Sequence, residues 1–163
     1  MSDRWVLNAS PLIVFGKIGR LELFSQLAEE IVVPRGVAQE ILAGPENDAA
    51  RVAIEANMFQ LVDVQEPTPE LAAWDLGLGE TAVLSFALKH PGWIAILDDG
   101  AARKCAITFG VKVKGSLAIV ILARKRGLIP QAKQILHTMQ EVGLRLDERT
   151  IRQVLKETLN EDW

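Results

Sequence analysis

GLGETAVLSFALKH (residues 77–90), the apolar WIAIL (93–97) and the following DDGAARKCA (98–106) form the stretch from which the fold is read. Glu80 enters the first turn of a helix that carries Ala82, Val83, Phe86 and Ala87 at helical spacing. The unbroken apolar run 94–97 reads as a strand covered on both faces. Asp98 and Asp99 stand where that strand ends and the next helix begins. In an open α/β sheet, functional residues gather at the carboxyl ends of strands, so both reversals carry acids to one edge. Oxygen ligands collected in this way imply a hard divalent cation.

Upstream, Trp5-Val-Leu reads as a short buried strand, with Ser10 as cap and Pro11 as first residue of the following helix. A second short helix is predicted over 21–27, a strand over 31–33, and helices over 34–42 and 48–56. Residues 60–64 read as an edge strand, 66–69 as a loop and 70–76 as a short helix. Downstream come a helix over 101–109, a strand over 111–113, and helices over 116–126 and from Pro130 to about Val142. Asp147 caps the last helix, whose stripe is Ile151, Val154, Leu155 and Leu159. Strands alternating with helices specify an α/β fold: three layers, a mostly parallel central sheet and helices on both faces. The segment 116–126 is apolar nearly all round, which implies either deep burial or a subunit contact; the second alternative makes a homodimer expected.

A length of 163 residues suits a single domain, 1–163, with the last helix, about 147–160, packed on it. The longest aliphatic run, 117–123, is far short of a membrane span. No leader pattern opens the sequence, so a cytoplasmic protein without membrane association is expected. Cys105 is the only cysteine, which excludes an intramolecular disulfide, and its apolar neighbours make it a core residue. The net charge of −3 hides an asymmetry. Eight of the 18 basic residues lie between Gly100 and Gln140, where there is no acid; the remaining ten face all 21 acids. A polyanion could bind the basic segment despite the low overall pI; ordinary solvated helix faces account for it equally well.

The stretches NASPLIVFGKIGRLELF, IVVPRGVAQEIL, LGLGETAVLSFAL, ILDDGAARKCAITFGVKVKGSLAIVILARKRGLI and TMQEVGLRLDERTIRQVL resemble, in order, a PIN-like family. The closest likeness is to a branch of small prokaryotic proteins, a domain of unknown function related to toxin nucleases of toxin–antitoxin pairs. The resemblance implies a metal-dependent ribonuclease that holds Mg²⁺ or Mn²⁺ on acids and directs water at an RNA phosphodiester. It also implies a small antitoxin partner. Carried over by motif, the metal-binding positions are Asn8, Glu40, Glu80 and Asp98 or Asp99, with Glu40, Glu80, Asp98 and Asp99 the catalytic acids. Ser10, Arg103, Lys112, Lys114 and Ser116 are the matching candidates for contact with substrate.

Asn8 departs from the family pattern, which has an acid there. Its amide oxygen can bind a cation or accept from water, yet it brings no negative charge and cannot act as a base. An alternative is therefore a catalytically impaired PIN-like module that binds RNA or a protein partner. Each candidate also has a plainer role. Glu80 suits the positive end of its helix, Glu40 a solvated surface, and Asn8 a turn. Ser10 and Ser116 suit caps, Arg103 an ion pair, and one of Asp98 and Asp99 the cap of the helix near Gly100. His90 is expected at the surface, His137 has no second ligand at zinc spacing, and Trp5, Trp74 and Trp93 suit core packing.

Overall fold

The computed structural model of the chain describes residues 3–163; Met1 and Ser2 of the expected 1–163 unit lie outside the described residues. Five parallel strands form one sheet in the order β3-β2-β1-β4-β5. They are β1 (Arg4–Leu7), β2 (Glu30–Pro34), β3 (Gln60–Val62), β4 (Trp93–Ile96) and β5 (Val113–Lys114). Trp5, Val6 and Leu7 of the central β1 are wholly buried, as a strand covered on both faces requires. The chain leaves β1 towards β2 on one side and returns later to β4 on the other, where Leu7 pairs with Ile96. The β1/β4 boundary is therefore a switch point, the place where such sheets leave a crevice at their carboxyl ends.

On one face α3 (Arg35–Leu42) packs on α6 (Leu78–Lys89), and α6 covers β1, β2 and β4. α1 (Ala9–Lys17) and α4 (Ala49–Glu55) extend this layer. On the other, α8 (Ser116–Lys125) packs against α2 (Glu22–Leu27), α9 (Ala132–Glu141) and a terminal π-helical turn, Leu155–Leu159. Trp5 meets Phe24 of α2 edge-on, which ties this layer to the sheet. α5 (Pro69–Ala72), α7 (Gly100–Thr108) and α10 (Glu148–Val154) complete the helices.

Several boundaries differ from expectation. α1 opens at Ala9 with Asn8 in the cap position and no side-chain capping bond, so Ser10 lies exposed inside the first turn. Continuation of the sheet explains the shift: the Asn8 N–H still bonds Ile96 O, so the helix starts at the very end of the strand. α9 begins at Ala132 rather than Pro130, and α5 stops at Ala72. The apolar surface of α8 is largely covered within the chain, with Ile119, Val120 and Ala123 wholly buried. Leu117 and Leu122 of the same helix remain half-buried and Ala118 is exposed, so burial within the chain accounts for most, though not all, of its apolar surface. Cys105 is buried, and burial pushes its thiol pKa upward. Trp5 is a core residue, whereas Trp74 and Trp93 are only half-buried. His90 is exposed, yet its ring stacks on Phe86 at 4.0 Å. Among the described residues no helix is long and apolar enough to cross a membrane.

Candidate active site

Three chain reversals meet at the carboxyl end of β1 and β4. Asn8 follows β1 directly and is buried, its position set by the bond from its N–H to Ile96 O. Gly79 lies in the first turn of α6 and is buried against Asn8 and Glu40. A Cβ there would stand 3.2 Å from Glu40 Oε1 and 3.4 Å from Asn8 Oδ1, so the absence of a side chain lets α3 and β1 bring two oxygens together. The next residue, Glu80, is half-buried and its carboxyl lies within reach of that of Asp99.

The electrostatics of this group are unfavourable without a cation. Glu80 has its pKa raised from 4.5 to about 7, first by burial, then by the charge and hydrogen bonding of Asp99, and then by the charge of Glu40. Asn8 Oδ1 and Glu80 Oε2 are both buried and neither meets a donor. A buried acceptor with no donor costs about 1–3 kcal/mol, and more when charged. A proton on Glu80 relieves its own oxygen only. A cation relieves both, and two acceptor oxygens beside two further acids are the donor set that a hard divalent ion takes. Among the described residues no three Asp, Glu, His or Cys side chains come together as a set that could hold a metal ion. With few direct contacts on offer, the two unpartnered oxygens suit only an ion that would retain much of its water, as magnesium does.

The adjacent aspartates have different surroundings. Asp98 accepts from Ser116 N–H at 2.7 Å and from Ser116 Oγ–H at 2.6 Å, so both of its oxygens are engaged and it clamps β4 to the start of α8. Asp99 caps α7 by accepting from Ala102 N–H at 3.0 Å, while its carboxyl also confronts Glu80. Ser116 is the first residue of α8 rather than its cap, the cap position being Gly115. Arg103, on α7, donates to Leu97 O at 3.2 Å and forms no ion pair among the described residues.

Two of the other expected substrate contacts, Lys112 and Lys114, are directed elsewhere. Lys112 lines a hollow with Gly92 and Trp93, at the opening of β4; its carbonyl accepts from Ala95 N–H, roughly 10 Å along the strand from Asp98. Lys114 turns back towards Asp3, ahead of β1, at 3.5 Å. Arg126 donates to Leu27 O, and Arg124 pairs with Glu161. The basic segment is contiguous in sequence but runs through α7, β5, α8 and α9, which carries its charges to both ends of the sheet. Conversely, Arg145 lines the cleft beside Asp98 and Arg103 although it lies outside that segment. Its only mark in the sequence is its place in VGLRLDERT, just before the capping Asp147. Gly79 and Gly115 are the other participants not singled out by side-chain chemistry; a glycine in a first helical turn is the available sign of a close approach.

Compared with known families, the chain matches a model described as a PIN domain over residues 4–160. No curated protein matches it.

Proposed function

We propose, proceeding from the fact that this chain belongs to the PIN-domain family and so has a nuclease-type fold, that it is a metal-dependent ribonuclease. The observation that carries the proposal is the pair of buried acceptors, Asn8 Oδ1 and Glu80 Oε2, that lack a donor beside Glu40 and Asp99. Glu40, Glu80 and Asp99 would hold Mg²⁺ or Mn²⁺, with the neutral oxygen of Asn8 assisting. When bound, such an ion lowers the pKa of water and offsets charge on a phosphodiester. The chain's own groups do the rest. Glu80, with a pKa of about 7, gives up its proton to become a ligand, and Asp98 fixes the Gly115-Ser116 turn that borders the cleft. Arg103, which lines the neighbouring cleft, would meet substrate phosphate, whereas Lys112 and Lys114 are not part of this reading. A role as the toxin of a toxin–antitoxin pair, with a small antitoxin encoded nearby, is a further part of the proposal; a neighbouring frame encoding no small protein would count against it.

The test is cleavage of labelled RNA with Mn²⁺, with Mg²⁺ and with chelator. Glu80→Gln and Asp99→Asn are each expected to lower the rate by at least about a hundredfold, a transition-state effect of roughly 2.7 kcal/mol. Asparagine caps helices as well as aspartate does, so Asp99→Asn should melt close to wild type. Cleavage that persists in chelator, or that both variants retain, sinks the proposal. Asn8 favours a second reading, an impaired module that binds RNA without cutting it; binding with no cleavage under either ion selects that one.

A further inference from the structure

Beside the acids, a cleft of about 380 Å³ opens between α7, the Gly115 turn and the entry to α10. Arg103 and Arg145 line it, and among the described residues neither forms an ion pair. Arg103 is held in place by Leu97 O, and a Cβ on Gly115 would overlap its guanidinium, so that glycine leaves the room it needs. Arg145 is exposed and makes no side-chain hydrogen bond among the described residues. Two carboxylates share the wall, but both already accept hydrogen bonds. Asp98 takes the Ser116 N–H and hydroxyl, and Asp147 the Thr150 N–H at 3.2 Å and hydroxyl at 2.8 Å. Leu117, Leu146 and Val154 make the rest of the wall apolar.

Two arginines that form no ion pair among the described residues, beside two carboxylates whose oxygens are already hydrogen-bonded, and an aliphatic wall, in a volume within the range of about 300–1,000 Å³ common to ligand sites, match one nucleotide. Planar guanidinium forks suit its phosphate, and the aliphatic wall suits its sugar or base. We infer that this cleft is the subsite for a single nucleotide of the bound strand, flanking the acids, with Arg103 and Arg145 on its phosphate. The identity of the strand rests on the ribonuclease reading; the subsite itself rests on the cleft.

The experiment is fluorescence anisotropy of a short labelled single-stranded RNA with the full chain, in chelator, across a salt series. Arg145→Ala is expected to weaken binding by about tenfold and to reduce the log–log salt slope by about 0.7–1, the signature of one lost phosphate contact. Lys17→Ala removes the same charge from the far end of α1, roughly 12 Å along that helix from Ala9, and is expected to leave the slope unchanged. Arg103→Lys keeps the charge but loses the fork, and a partial loss of affinity is expected. Wild-type affinity and slope in Arg145→Ala, an equal loss in Lys17→Ala, or no RNA binding by the wild type would overturn the inference. Cleavage of the same RNA with Mn²⁺ is read separately. Arg145-dependent binding without cleavage supports the subsite and removes the catalytic reading; cleavage with Arg145-independent binding does the reverse.

Discussion

With a pKa of about 7, Glu80 is close to half-protonated at neutral pH when no cation is present. The linkage to stability has a definite sign. The folded-state pKa lies above the ordinary 4.5, so the fold favours the protonated form. That stabilisation is complete below pH 4.5 and disappears as the pH rises through 7. Glutamine cannot lose a proton, so Glu80→Gln should escape this loss. In chelator, the melting temperature of Glu80→Gln minus that of wild type is expected to increase from pH 5 to pH 8; a flat difference would mean that the Glu80 carboxyl is not strained. Cation affinity should move the other way, weakening below pH 7 because the ion must displace a proton.

Three short elements converge on the cleft: the end of β4, the first turn of α7 and the turn into α8. Asp98 and Ser116 join two of them through paired hydrogen bonds, and Gly115 lets the Arg103 side chain pass. Gly115 has φ −99°, which any residue can adopt, so its requirement is for space rather than backbone freedom. A Cβ would also approach Asp98 Oδ1 to 3.0 Å. Gly115→Ala is therefore expected to cost about 1–3 kcal/mol in urea unfolding, the usual scale of overpacking. It should also displace Arg103 and weaken RNA binding. A variant with wild-type stability and affinity would show that the turn has slack. The family resemblance pointed to Ser116 at this junction, but the sequence could not apportion Asp98 and Asp99. Both stand at the same strand end, and only the bonds each one makes distinguish clamp from cap.

Across the whole molecule, the cost of gathering acids at the switch point is offset by the rest of the fold, and a cation bound there would lower it. A ligand that binds only the folded state stabilises it by mass action, about 2.7 kcal/mol at a hundredfold excess over Kd. For a chain of this size that is a rise in Tm of roughly 5–10 °C on adding Mn²⁺. The rise should largely vanish in Glu80→Gln; no rise in the wild type would leave the strained carboxyl unexplained. The sheet, its parallel sense and the edge position of the 60–64 strand were readable from the chain, because burial on both faces and the strand–helix alternation are local patterns. So were Glu80 and the aspartate pair, which border an apolar run at element ends. The destination of the basic residues was not readable, since side chains adjacent in sequence are sent to opposite ends of a sheet by the elements between them. Arg145 beside Arg103, Glu40 against Gly79 and the covered face of α8 belong to tertiary structure alone. Periodicity dictates which face of an element is buried, whereas which distant side chains meet depends on how the elements cross, and that is settled only when the whole core packs.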